Sequence, residues 1–247
     1  SFDYRFNNLC NFKCRMCGDM LSSSWESEQR NNNMWNPQDQ AWMAEPTRSQ
    51  IKKFQKDEVE QEFAQAVDNH LIEEIYWVGG EPLMYDIHWR AMNRLADDDN
   101  LKHVHLRYNS NLSRVRYGKH YLYDWLPRAK DWTMCASIDG TGEIGEYIRT
   151  GLNWEQWDKN FREGVALPGG NDKMLMDLTL TGPGLFGLRE FVEYALELDE
   201  LGFVIVSTDS LDPLVQFPNS AVADPVTRGQ LTIFEVSVTN VVKFASS

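Results

Sequence analysis

Between residues 2 and 206, segments of strand length alternate with segments of helical spacing, joined mostly by short turns. Apolar runs at 2–6, 75–78, 103–108, 132–138, 174–180 and 203–206 read as strands. Stretches 47–70, 85–96, 117–128, 153–165 and 186–198 read as helices. The first of them spaces Phe54, Val59, Phe63, Ala66 and Val67 along one face. A helix-length crossover between successive strands is what parallel neighbours require. The expected fold is α/β: a partial, open six-strand β/α barrel of the TIM type over residues 1–206. A C-terminal extension follows at 207–247. Within it, 208–230 holds Pro213, Pro218 and Pro225 and reads as a loop, and 231–242 reads as a strand with Phe234, Val236 and Val238 on one face. The 247 residues suffice for one such domain with a substantial core.

Residues 19–46 interrupt the alternation. They are polar and irregular, with Ser22-Ser23-Ser24 and Asn31-Asn32-Asn33, and they carry Trp25, Met34, Trp35, Trp42 and Met43. A loop of this length inside a domain has two readings: a lid facing the substrate, or an excursion packed by its own tryptophans.

Just before that interruption the chain reads Cys-Asn-Phe-Lys-Cys-Arg-Met-Cys, which places thiols at Cys10, Cys14 and Cys17. Thiols this close in sequence do not bridge one another without strain. They can converge on a soft metal. Structural zinc takes four protein ligands, usually as two Cys or His pairs, and here there are three cysteines with no His nearby. Three thiolates suit a four-iron cluster that leaves one iron without a protein ligand, with zinc as the competing reading.

Composition excludes several classes. The net charge is −13 and no Lys/Arg cluster exists, so a phosphate-neutralising groove for nucleic acid is not expected. No run of about 18 apolar residues exists to span a membrane. Three of the four cysteines belong to one motif, which is no disulfide framework, and a reducing cytoplasm is expected. The sequon at Asn111-Leu112-Ser113 then carries no glycan. No signal peptide opens the chain, and the strand-like start suggests that the natural protein begins further upstream.

Three motifs together resemble the radical S-adenosylmethionine (radical SAM) superfamily. They are the Cys10-x3-Cys14-x2-Cys17 loop, Gly79-Gly80-Glu81-Pro82 after an apolar strand, and Ser137-Ile138-Asp139-Gly140 followed by Tyr147-Ile148-Arg149. The third is similar to a segment of the superfamily's peptide-modifying branch, which often carries SPASM or twitch extensions. The tail here has no cysteine for an auxiliary cluster.

The resemblance implies a [4Fe–4S] cluster on Cys10, Cys14 and Cys17, with S-adenosylmethionine at the open iron. It implies Gly79 and Gly80 approaching that ligand with bare backbone, and Glu81 near its ammonium. Asn111 would face the ribose, Ser137 the polar groups, and Arg149 the carboxylate. Met16 stands where the family usually places an aromatic residue near the adenine. Leu185-x-Gly187-x-x-Glu190 partly matches an adenine-contacting motif. Reductive cleavage would yield methionine and a 5′-deoxyadenosyl radical that abstracts hydrogen from a peptide or small-molecule substrate. A flavodoxin or ferredoxin-type protein would donate the electron. The alternatives are an enzyme of this superfamily acting on a small molecule or nucleotide, and a non-catalytic zinc- or cluster-binding interaction module.

Taken singly, these residues have plainer readings. Glu81 is an exposed strand-end glutamate, Arg149 an exposed cation at a helix start, and Asp139 a turn former. Cys135 is a small buried hydrophobe. His103 and His105 share one strand face without a third ligand, and Asp97-Asp98-Asp99 is a solvated turn.

Overall fold

The structure, a computed structural model, describes residues 1–4, 7–36, 43–199, 205–207, 231–233, 241–242 and 244–246. In chain order the elements begin with β1 (Phe2–Tyr4), β2 (Lys13–Cys14), α1 (Ser23–Asn31), α2 (Thr47–Phe54), α3 (Glu60–Asp68), β3 (Glu74–Trp77) and α4 (Asp86–Asp97). They continue with β4 (His105–Ser110), β5 (Arg116–Tyr117), β6 (His120–Tyr121), α5 (Leu122–Trp125), β7 (Asp131–Ser137), α6 (Gly142–Ile148) and β8 (Arg149–Thr150). The last are α7 (Trp154–Val165), β9 (Met174–Asp177), α8 (Gly182–Phe186), α9 (Leu188–Asp199), β10 (Ile205–Ser207), β11 (Leu231–Ile233), β12 (Val241–Val242) and β13 (Phe244–Ser246). The fold is mixed α/β.

The chain divides into two units. One comprises Ser1–Lys13, Cys17–Arg107 and Arg116–Trp132; the other comprises Cys14–Met16, Tyr108–Val115 and Thr133–Ser247. In the first unit β1 pairs with β3 in parallel, with Phe2 opposite Ile75 and Tyr4 opposite Trp77. Alternation along β3 buries Ile75 and Trp77 on one face. Phe63 of α3 meets Trp77 edge to face at 5.8 Å. His88 of α4 lies between Trp77 and Trp89, its ring 4.8 Å from each. Complete burial pushes the His88 imidazole down to about 3, so it is neutral at physiological pH.

In the second unit β7 pairs with β9 in parallel, Met134 opposite Met174 and Ser137 opposite Asp177. β9 pairs with β10 in parallel, and β12 runs antiparallel to β10. α7 starts where the Asn153 side chain accepts from the Gln156 amide. Its Trp154, Trp157 and Phe161 stack in sequence, with ring centroids 5.6 and 5.0 Å apart, and the last two are fully buried. The helical period seen in the sequence therefore describes a real apolar face.

Four expectations need correction. Residues 19–46 are not all irregular: α1 occupies Ser23–Asn31, started by the Ser22 hydroxyl accepting from the Trp25 amide. The expected helix at 117–128 is instead the β5–β6 hairpin, then one turn of α5 and a 3-10 turn at Leu126–Arg128. Gly118 turns the hairpin at φ 57°, a conformation that suits glycine, and Pro127 lacks the amide that a longer helix would use. The helix over 47–70 carries a π segment at Gln55–Val59. The surplus residue rotates the apolar face, so Phe63, Ala66 and Val67 are buried while Phe54 is 60% exposed. His103 lies in a 3-10 turn rather than on the strand that holds His105.

The expected loop at 208–230, and residues 234–240 of the expected final strand, lie outside the described residues. β11 pairs with β13 antiparallel. Among the described residues no helix is long and apolar enough to cross a membrane.

Candidate functional site

In the first unit the segment bearing Cys10 is fastened by hydroxyls. The Ser22 hydroxyl, almost fully buried, donates to the Phe12 carbonyl. The Ser23 hydroxyl lies 3.1 Å from the Cys10 amide that donates to it, and the Ser24 hydroxyl donates to the Cys10 carbonyl at 2.8 Å. The Ser23 amide adds a bond of 2.7 Å to the Asn8 carbonyl. The run Ser22-Ser23-Ser24, which reads as loop polarity in the sequence, thus clasps the Cys10 backbone with the start of α1. Farther along α1, Glu26 accepts from Asn8 at 3.0 Å and from Arg30 at 2.8 Å, and it also pairs with Arg48 of α2. Arg48 foremost, with Asn8 and Arg30, holds the Glu26 carboxyl down to about 2 against the opposing effect of burial.

The Gly79-Gly80-Glu81 turn in the same unit lies against the residues just before Cys10. The Glu81 amide donates to the Leu9 carbonyl at 2.7 Å. A Cβ on Gly80 would stand 2.4 Å from that carbonyl oxygen, so glycine is required there. Gly79 adopts φ 128°, which a side chain would oppose. The Tyr85 hydroxyl donates to the Asn7 carbonyl at 2.8 Å and accepts from the Gly80 amide at 2.9 Å. Burial pushes the Tyr85 phenol well up, so it stays protonated. Glu81 is fully buried, not an exposed strand-end residue, and its carboxylate accepts from the Leu83 amide at 3.0 Å. Cys17 is half-buried in this unit.

In the second unit Cys14 is buried, and its sulfur accepts from Arg149 Nη1 at 3.9 Å. Arg149 is buried rather than exposed. Its Nη2 donates to Asp139 Oδ1 at 2.9 Å and its Nε faces Oδ2 at 2.5 Å. The Thr179 amide also donates to Asp139 Oδ1, at 2.9 Å. Asp139 is therefore the buried anion of the pair and not merely a turn former. The chain turns tightly between the two partners: a Cβ on Gly145 would meet the Gly140 carbonyl oxygen at 2.2 Å. Arg15 is tied alongside. Its amide donates to the Ile148 carbonyl, its Nε to the Tyr147 carbonyl at 2.8 Å, and its guanidinium lies 3.7 Å over the Tyr147 ring.

Of the other expected residues in this unit, Ser137 ends β7, half-buried, and Met16 is half-buried. Asn111 is buried, and its side-chain oxygen accepts from the Ser113 amide at 3.0 Å. Leu185 is 42% exposed. Cys135 is half-buried in the middle of β7, not fully enclosed.

Cys10, Cys17 and the Gly79-Gly80-Glu81 turn thus belong to the first unit, and Cys14, Met16, Asn111, Ser137 and Arg149 to the second. Among the described residues no three His, Cys, Asp or Glu side chains are grouped so as to hold a metal ion. The donor chemistry nevertheless fits iron: none of the four cysteines is tied up in a disulfide. Two of the expected ligand sulfurs also accept N–H donors, Cys10 from the Phe12 amide at 3.4 Å and Cys14 from Arg149. Such bonds are a usual outer shell of metal-bound thiolates. Sequence reasoning passed over the Ser22–Ser24 clasp and Tyr85 and left Asp139 undecided; a hydroxyl or carboxylate bonded to a distant backbone or side chain leaves no periodic signal.

A family model described as the radical SAM superfamily matches residues 4–186. Among solved structures, hexahistidine-tagged anSMEcpe with bound AdoMet shares the fold at TM-score 0.50 and 14% identity, over 88% of this chain and 53% of that one. Native anSMEcpe with bound AdoMet and the Cp18Cys peptide gives 0.48 at 16% identity, over 82% of this chain and 48% of that one. TYW1 with a lysine–pyruvate adduct gives 0.44 at 12% identity, over 98% and 77%. This chain spans about half the length of the anSMEcpe chains. No curated protein matches it. Enzymes of the matched family use a [4Fe–4S] cluster and S-adenosylmethionine for radical chemistry.

Proposed function

Because the chain belongs to the radical SAM superfamily, we propose that it is a radical enzyme whose Cys10, Cys14 and Cys17 hold a [4Fe–4S] cluster and whose strand-end motifs hold S-adenosylmethionine. When bound, these groups supply one-electron cleavage of the sulfonium C–S bond, giving methionine and a 5′-deoxyadenosyl radical that takes a hydrogen atom from the substrate. The protein's own part is to bind, orient and exclude water. Gly79 and Gly80 offer backbone without side chains, and Glu81 places a buried carboxylate for the ligand's ammonium. Asn111 and Ser137 are assigned the ribose and polar groups, and Met16 the neighbourhood of the adenine. Arg149 is assigned the carboxylate, through the N–H groups of Nη1 and Nη2 that Asp139 and the Cys14 sulfur leave over.

The observation that carries this reading is the family match over residues 4–186, which encloses the cysteine triplet and both strand-end motifs. The proposed architecture is the open six-strand barrel over 1–206 with the extension at 207–247. The proposed substrate is a peptide side chain, or otherwise a small molecule. The proposed electron donor is a flavodoxin or ferredoxin, in the cytoplasm.

Anaerobic reconstitution with iron and sulfide tests it. The expected product is a brown protein with about four irons per chain, which releases 5′-deoxyadenosine when given dithionite and S-adenosylmethionine. Cys14→Ala should lose both colour and cleavage. Colourless wild-type protein with stoichiometric zinc would replace this reading with the binding module.

A further inference from the structure

Arg149 is a buried guanidinium whose three nitrogens are aimed in two directions. Nε and Nη2 meet the Asp139 carboxylate at 2.5 and 2.9 Å, and Nη1 points to the Cys14 sulfur at 3.9 Å. The carboxylate cannot swing away freely, because Asp139 is 1% exposed and the Thr179 amide binds the same oxygen that Nη2 does. The backbone of Arg149 is also fixed: its amide donates to the Gly145 carbonyl, and its carbonyl accepts from Leu152 at 2.8 Å. A guanidinium is planar, so holding one edge on a carboxylate sets the direction of the remaining nitrogen. Asp139 and Arg149 together add no net charge around Cys14, but they orient the positive end toward the sulfur.

We infer that Arg149, positioned by Asp139, is a hydrogen-bond donor to the Cys14 sulfur and raises the reduction potential of the cluster which that sulfur ligates, an inference that rests on the proposed cluster. An N–H donor draws electron density from a thiolate, and hydrogen bonds to ligand sulfurs are one of the protein's means of setting cluster potential. Burial of the guanidinium keeps water from screening the effect. Arg149 is thus a positioning residue of the cluster's outer shell, distinct from a residue that only recruits S-adenosylmethionine.

The test is a redox titration of the reconstituted protein, followed by electron paramagnetic resonance, with no S-adenosylmethionine present. The variants are R149K and the double variant D139N/R149M, whose side-chain amide oxygen at 139 still accepts from Thr179. Iron and sulfide are assayed in each. The expected result is a full cluster in all three proteins and a more negative potential in both variants, the larger shift in the double one. If the double variant does not fold, R149K decides, because its ammonium stays opposite Asp139 but cannot span to the sulfur. A variant with a full cluster and an unchanged potential overturns the inference, and weakened S-adenosylmethionine binding in that same variant would assign Arg149 to the carboxylate instead. A wild-type protein that takes up no iron overturns the cluster reading itself, and this inference with it.

Discussion

Cys10 and Cys14 are four residues apart in sequence, yet they are held by opposite means. Around Cys10 the side-chain partners are neutral hydroxyls, and they grip the backbone: Ser23 and Ser24 bond to its own peptide groups and Ser22 to that of Phe12, while the sulfur accepts from a neutral donor, the Phe12 amide at 3.4 Å. Around Cys14 the partner is a buried ion pair, and it reaches the sulfur itself. A hydroxyl clasp fixes where a thiol sits and leaves its electronics alone. A buried cation held at the sulfur changes the thiol's electronics as well.

The contrast makes the two regions fail differently. The largest effect is expected on the charged side. Asp139→Ala leaves the Arg149 guanidinium buried beside no carboxylate and should cost about 3–5 kcal/mol in denaturant unfolding. A loss below about 1 kcal/mol would mean that the pair behaves as a solvent-exposed one, and the contrast would break.

Next comes the carboxylate that braces the hydroxyl side. Glu26 titrates at about 2 in the folded protein, below its ordinary value of 4.5. Its folded-state pKa is depressed, so its stabilisation is complete above pH 4.5 and is lost as pH falls toward 2. The amount is up to about 3 kcal/mol. Glu26→Gln should remove that acid-dependent portion and lower stability near neutral pH. His88 also favours unfolding in acid, because its neutral buried form resists protonation, but that effect begins at higher pH, near its ordinary 6.5. Unfolding profiles of the wild type and of Glu26→Gln that run parallel between pH 4.5 and 2 would sink the assignment to Glu26.

The smallest effect is expected for Ser22→Ala. It removes the α1 cap and leaves the Phe12 carbonyl without that hydroxyl, at a cost of about 1–3 kcal/mol. Cluster potential should be unmoved in this variant, because the hydroxyl touches no sulfur. A shift in potential like that of R149K would erase the distinction between the two sides.

Much of the candidate site could be read from residue identity alone. Thiols and a glycine pair stand out as residue types, so Cys10, Cys14, Cys17, Gly79 and Gly80 could be singled out as candidates before any geometry, whereas the burial of Glu81 could not. Asp139 was half legible. Its place after a strand suggested a turn, and only the fold brings a partner ten residues away onto its carboxylate. Ser22–Ser24 were illegible as a clasp, since their bonds run back 10 to 14 residues to backbone groups that have no sequence identity.

The strands and helices of the core were read well where one period persists, as in α7. They were misread where a single residue interrupts it. Gly118 turned an expected helix into a hairpin, and the surplus residue at Gln55–Val59 moved Phe54 out of the core face.

That wide turn has a consequence of its own. It works as a phase shifter in the middle of a long helix: α3 stays seated through Phe63, while α2, upstream of it, buries no residue and reaches across through Arg48. A change upstream that re-times α2 around its axis would move Arg48 relative to Glu26 while leaving the aromatic packing of α3 in place. An ancestral gain or loss of one residue could be absorbed at this point, where an uninterrupted helix would have passed it on to the core.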